Sequence, residues 1–370
     1  MQRLVQRVYD TVRRPFAALR ILKDQISAFL QPFYPTITTA SVSSTPIQGQ
    51  VDELYQASRA AQGGTGGTID SKSADLFSTS HSEASSFLTK FASILAKPVS
   101  FKRYRIARNG SQAMDRRGAL VKTMINEVII LSSLSNAGIV PFEGLYRADG
   151  TWERTYLAHA FDTTVREFLS ARPDAERKRL MKDVADGLAY LHDDGVVYGG
   201  LSGATVLVDA NTGRAHLSEF SQAILEGIHP TSTSYIQSMM EPASMVWLAP
   251  ERLGGLFEDR CAGPTRASDV YALGCFAYLI FTGKDPFEEL TNGPSNMVIF
   301  EIVSAVCNDN RRPTRPGTGD DAFVRYGLTD VIWVTILEAC WVRDPHSQPD
   351  AAELARRLLG LGAVTDAGNV

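Results

Sequence analysis

Apolar and polar positions follow three rhythms along this chain. Over residues 1–35, Leu4, Val5, Val8, Val12, Leu19, Leu22 and Ile26 recur at roughly helical spacing, against Arg3, Arg7, Arg13, Arg14, Arg20 and Lys23. That pattern predicts an amphipathic helical segment interrupted at Pro15. From residue 36 to 86 the pattern dissolves into Ser, Thr, Gly and Gln around a GGTGGT stretch at 63–68, the composition of a linker, with one short helical candidate at 51–61. A third rhythm begins near Ala96. Short β-prone runs at 99–106, 138–146 and 154–161 surround one helical run at 119–134. After Thr164 helical spacing dominates, at 175–192, 267–281, 297–306, 329–341 and 351–359, with one strand hairpin, 204–209 and 214–220, turning at Asn211-Thr212-Gly213. Strands first and helices afterwards predict an α+β protein with a cleft between a small and a large part. The expected organisation is an amphipathic segment (1–35), a linker (36–86), a folded region (87–362, strand-rich over about 96–163 and helical over about 164–362) and a tail (363–370).

Composition narrows the function classes. The 370 residues carry a net charge of −4 and 44% hydrophobic residues, enough for a sizeable core but without the basic field that attracts nucleic acid. The four cysteines, Cys261, Cys275, Cys307 and Cys340, are far apart and form no C-x-x-C pair. This argues against a zinc site or a disulfide scaffold and for a reducing, cytoplasmic setting. The longest apolar stretch, 270–281, is too short for a bilayer span and reads as a buried helix. Three readings of residues 1–35 stay open: a helix docked on its own domain or a partner, a membrane-surface helix, and an Arg-rich organelle-targeting peptide.

The helical region carries a series of motifs that resembles the protein kinases in order and spacing. GLAYLHDDGVVYGGLSGATVLVD (187–209) is similar to the family's helix and catalytic loop, RAHLSEFSQA (214–223) to its metal-binding strand and turn, and WLAPE (247–251) to the end of its activation segment. SDVYALG (268–274), GKDPF (283–287) and CWVRDPHSQP (340–349) follow in the family's order. The run resembles the tyrosine-kinase-like group, whose catalytic loop often reads H-G-D-L-K-G-A-N. Upstream, INEVIILSSLSNAGIVPFEGLY (125–146) places the family's C-helix glutamate at Glu127, and Val99-Ser100-Phe101-Lys102 resembles V-A-I-K, making Lys102 the phosphate-gripping lysine. The resemblance implies a bilobal kinase fold, with a small β-rich lobe and a larger helical one.

Phosphoryl transfer needs a base for the acceptor hydroxyl, two metal-holding groups, a lysine on the phosphates and a glycine loop above them. At the H-R-D position the chain reads Tyr198-Gly199-Gly200, so the base position has no side chain. The next lysine is replaced by Ser202 and the metal-binding asparagine by Thr205, a weaker neutral ligand. D-F-G reads Glu219-Phe220-Ser221, leaving Glu219 and Thr205 as the candidate metal ligands and Lys102 with Glu127 as the candidate ATP-phosphate site. Residues 81–101 contain no glycine to cover a triphosphate, and the cluster at 63–67 lacks G-x-G-x-x-G spacing.

The fold-keeping positions persist. By resemblance, Asp269 holds the catalytic-loop backbone and Trp247 with Glu251 anchors the activation segment, while Tyr198 and Phe220 are bulky core residues. The arginine expected to pair with Glu251 reads Gln348. The hydroxyls of 231–235, Ser238 and Ser244 form a polar loop that lacks the usual arginine beside the base, since that position is Gly199. Together these departures imply a pseudokinase, a scaffold or allosteric regulator with protein partners, for which ATP and magnesium are the candidate cofactors and none is certain. The competing readings are an ATP- and magnesium-dependent kinase with substitute residues, and a nucleotide-binding module without turnover. Membrane-surface contact by residues 1–30 is a further expectation.

Overall fold

The computed structural model describes residues 100–105, 127, 130–131, 134–147, 154–159, 163–226, 242–254, 263–291 and 293–363. The expectations for residues 1–99, for 227–241 and for Cys261 lie outside the described residues. The chain divides into two compact units. The smaller comprises residues 1–105 and 142–160, and the larger comprises 106–141 and 161–370.

In the smaller unit, β1 (Ser100–Arg105), β2 (Phe142–Arg147) and β3 (Arg154–His159) form an antiparallel sheet in the order β1-β3-β2. Lys102 stands opposite Leu157, and Phe142 opposite His159, with a register shift between Phe142 and Gly144. The run expected as a strand from Gly138 begins its ladder only at Phe142. Ile139 instead makes a parallel bridge to Leu217 within the larger unit, where Leu217 N donates to Gly138 O and Val140 N to Leu217 O, at 2.8 and 2.9 Å. A close backbone approach explains this docking: a Cβ on Gly138 would lie 2.9 Å from the Gly187 Cα, so only glycine lets the two segments meet.

The larger unit is organised by two long helices. After α1 (Val165–Ala171), closed by a Thr164–Glu167 capping box, α2 (Arg177–Asp193) buries Leu180, Met181, Val184, Leu188 and Leu191 along one stripe. Then come β4 (Val196–Val197), the hairpin β5 (Val206–Asp209) and β6 (Arg214–Leu217), and β7 (Ile224–Leu225), which pairs with β4. Short helices α3 (Pro242–Met245) and α4 (Pro250–Gly254) precede α5 (Arg266–Thr282), which is buried from Ser268 to Phe281. An apolar surface all round demands a central position, and a Thr265–Ser268 capping box and left-handed Gly283 set its ends.

Helices α6 (Ser295–Val303), α7 (Asp321–Val324), α8 (Asp330–Ile332) and α9 (Ala351–Ala363) complete the unit. Two expected helices differ from their pattern. The run from 297 passes into a π-helical turn at Ser304–Asn308, and the run from 329 into another at Trp333–Glu338. Widening the turn keeps Trp333, Ile336 and Leu337 buried together, a packing demand that spacing alone does not reveal.

Candidate functional site

The site is the loop between β4 and β5, and its backbone is held before any catalytic chemistry is considered. Asp269, in the first turn of α5 and 1% exposed, accepts from Tyr198 N at 2.8 Å and from Gly199 N at 2.7 Å. His192 Nε2, from the last turn of α2, lies 3.0 Å from Asp269 Oδ2. On the opposite side, buried Arg252 of α4 donates from Nη1 to Gly199 O at 3.0 Å. Two helices therefore grip one peptide segment directly, α5 through Asp269 and α4 through Arg252, while α2 supports the Asp269 carboxylate through His192. His192 and Arg252 were missed in the sequence. Each lies within a quoted or adjoining motif, but its partner is 77 or 53 residues away.

Gly199 has φ 69°, and a Cβ there would come within 2.9 Å of Gln222 O and the Pro264 ring. In this backbone the position accepts glycine alone. Gly200 is different: a Cβ would meet nothing closer than 3.7 Å, with no positive φ to oppose it. The absence of a side chain at position 200 is therefore a property of the sequence and is not imposed by packing.

The remaining polar side chains of the loop are turned onto the loop itself. Thr205 Oγ1 donates to Gly200 O at 2.8 Å and accepts from Ser202 N at 2.9 Å. Ser202 Oγ accepts from Ala204 N at 3.3 Å and lies 3.3 Å from Thr205 Oγ1. Thr205 O in turn accepts from Ser218 N and Ser218 Oγ, both at 2.9 Å. With its proton given to Gly200 O and one lone pair taken by Ser202 N, the Thr205 hydroxyl keeps a single neutral lone pair for a cation. Gly203 packs against Leu279 and Arg166, where a Cβ would intrude to 2.5 Å and 2.8 Å.

Tyr198 and Phe220 are wholly buried and meet edge to face, 5.2 Å between ring centroids. The Tyr198 hydroxyl donates to Ser218 O, and burial pushes its phenol far above the usual range. Next to it, Glu219 is half-buried and left-handed, φ 57° and ψ 60°. A left-handed residue with a Cβ costs about 1–2 kcal/mol. Of two variants that both remove the carboxylate, Glu219→Gly is therefore expected to be more stable than Glu219→Ala by about 1 kcal/mol. Denaturant titration of the pair checks this, and the opposite order would show that the strain is absent.

Lys102 belongs to the smaller unit, whereas Glu127, helical and 0% exposed, belongs to the larger one. Trp247 is 4% exposed, with the Arg166 guanidinium 5.9 Å from its ring centroid. Glu251 Oε1 is buried without a hydrogen-bond partner, and so is Gln348 Oε1, while Gln348 Nε2 donates to Val342 O at 3.2 Å. Burial raises the Glu251 pKa, and the nearby Arg252 and Arg312 charges oppose the rise.

A carboxyl whose folded pKa is raised contributes its full stability below its unfolded pKa and loses it as pH climbs through the folded value. Relative to Glu251→Gln, the wild-type protein should therefore lose stability as pH rises from the ordinary glutamate value of 4.5. Melting the two proteins side by side from pH 4 to 8 tests this, and parallel curves would refute it.

Among the described residues, no group of three or more His, Cys, Asp or Glu side chains is placed to hold a metal ion. Nor is any helix among them long and apolar enough to cross a membrane.

This ordered loop, pinned to a buried aspartate beneath a strand hairpin, defines the class of protein. The protein kinase domain model matches residues 96–358, more than two thirds of the chain. The chain belongs to the protein kinase family. It is similar to the cytokinesis protein sepH of Emericella nidulans, 25% identical over 238 residues, covering 64% of this chain and 15% of that protein. It is also similar to the serine/threonine-protein kinase PkaA of Streptomyces coelicolor, 33% identical over 181 residues (48% of this chain, 28% of that protein). A third relative is the serine/threonine-protein kinase BCK1/SLK1/SSP31 of Saccharomyces cerevisiae, 25% identical over 238 residues (63% and 14%). The chain spans less than a third of the length of each of these curated relatives.

Proposed function

We propose that this chain keeps the protein-kinase fold for binding and not for phosphoryl transfer: a pseudokinase that serves signalling proteins as a scaffold or allosteric partner. The observation that carries this reading is the catalytic loop itself. Gly200 offers no base, and the Ser202 and Thr205 hydroxyls are engaged in bonds that close the loop. Losing a positioned base alone forfeits about 10²–10⁴ in rate.

The family as a whole uses ATP and magnesium, and magnesium usually takes one or two carboxylates plus substrate phosphates. On this loop and its neighbouring turn, Glu219 is the one candidate carboxylate, and Thr205 Oγ1 offers only one neutral lone pair beyond its bonds within the loop. That donor set fits a magnesium–triphosphate group poorly, so no step is routed through it. By loop pattern we group the chain with the tyrosine-kinase-like enzymes; its relatives include proteins named as serine/threonine kinases.

Incubation of the purified full chain with labelled ATP, magnesium or manganese and a generic protein substrate tests the proposal. The expected result is no transfer above the blank. Transfer that vanishes in both Lys102→Ala and Glu219→Ala would overturn it and favour a working kinase with substitute residues. Gly200→Asp is a useful third arm, because a Cβ at that position meets nothing closer than 3.7 Å. Activity rising by about 10²–10⁴ in that variant would identify the base as the missing part. Thermal shift with ATP and metal separates nucleotide binding without turnover. A ligand at a hundred times its dissociation constant would add about 2.7 kcal/mol.

A further inference from the structure

Helix α6 carries an apolar ridge that its own unit leaves uncovered. Val298 and Ile302 are buried at 1% and 0% exposure, whereas Met297 and Phe300, three residues apart and so on one face, are 55% and 70% exposed. A phenylalanine that open is unusual beside a helix whose inner face packs normally, and the pair makes one continuous strip.

The rim of the strip is acidic. Residues 284–312 contain Asp285, Glu288, Glu289, Glu301 and Asp309 against Lys284, Arg311 and Arg312. Asp285 is paired with Arg166, and Glu289 with Arg311 at 3.3 Å. Glu288, on the turn packed beside α6, and Glu301, on α6 itself, are exposed and have no ion pair among the described residues.

The complementary pattern is present in the same chain. Residues 1–30 carry six cationic side chains and two acidic ones around an apolar series from Leu4 to Ile26. We propose that the Met297–Phe300 ridge is the docking site for residues 1–30 of a second copy of this chain. An amphipathic helix of that kind would lay Leu and Val side chains on the ridge and set its arginines against Glu288 and Glu301.

A second copy fits because the exchange is reciprocal. Each copy presents one ridge and one segment, so two contacts close a dimer with two-fold symmetry. The second contact forms at the effective concentration created by the first.

Sedimentation velocity of the full chain over a wide concentration range tests the proposal with four proteins: wild type, Met297→Glu/Phe300→Glu, Arg7→Glu/Arg14→Glu, and all four changes together. The expected result is a wild-type dimer whose dissociation constant rises at least tenfold in either double variant. The quadruple variant should be no weaker than the worse of the two, since both sets disrupt one contact. Raising salt should weaken the wild-type dimer.

A monomer at every concentration would overturn the proposal. So would a dimer indifferent to the N-terminal charges, which would put some other occupant on the ridge. Phe300→Ala, a plain truncation of an exposed side chain, serves as a second ridge variant. A dimer of unchanged affinity in that variant, with its melting temperature preserved, also counts against the proposal.

Discussion

Replacing Asp269 by alanine should cost about 3–5 kcal/mol of stability and should loosen the whole loop from Tyr198 to Thr205. The reason is desolvation. The carboxylate satisfies two backbone N–H groups, of Tyr198 and Gly199, and faces His192 Nε2, all in a region sealed from water. Each buried donor left without an acceptor costs about 1–3 kcal/mol, and no solvent can step in. Asp269→Asn should fall between wild type and alanine, because an amide keeps one acceptor oxygen but brings two donors into a pocket already full of them. Chemical denaturation measures the loss, and hydrogen exchange at Tyr198 and Gly199 locates it. A change below about 1 kcal/mol in Asp269→Ala would mean that the loop is held by other contacts, chiefly by Arg252. The experiment bears on function too, because a chain retained as a scaffold has reason to keep this anchor whether or not it transfers phosphate.

Gly274→Val should be comparably damaging for the opposite reason, since it adds atoms where none fit. Gly274 lies on α5 against Cys340 and Trp341, and a Cβ there would sit 2.6 Å from Cys340 Cβ and 2.6 Å from Trp341 Nε1. Both neighbours are buried. Trp341 is wedged between Tyr278 and Trp333, at centroid distances of 6.5 and 5.9 Å, so it has no free direction in which to move. Overpacking of a core costs about 1–3 kcal/mol for extra methylenes. Gly274→Val is expected at or above the top of that range, and Gly274→Ala within it. Cys340→Ala cannot relieve the clash, because its Cβ remains; Cys340→Gly combined with Gly274→Ala should recover part of the loss. Thermal unfolding of the three variants decides, and a single variant as stable as wild type would show that α5 can shift away from Trp341.

Much of this architecture was legible in the sequence because it is written in local spacing. The 3.6-residue recurrence of Leu180, Val184, Leu188 and Leu191 marks α2, and the unbroken apolar run of 270–281 marks a central helix rather than a surface one. The hairpin of β5 and β6 follows from two β-prone runs around Asn211-Thr212-Gly213, where Gly213 has φ 66°. The order of motifs from 187 to 349 is enough by itself to point to the kinase family.

The residue identities at 200, 202, 205 and 219 belong to the sequence alone, and with them the proposal that the base and the phosphate lysine are lost. What those substitutions do was decided by the tertiary structure. That Gly200 has room for a Cβ while Gly199 has none, and that Thr205 and Ser202 close the loop, depend on distances between atoms. So do the junction of His192 with Asp269, the grip of Arg252 on Gly199 O, and the meeting of Gly138 with Gly187. Spacing along a chain encodes which face of an element turns inward. Which atoms then meet across that face is set only when distant segments pack together at close-packed density, where a single Cβ is accepted or refused.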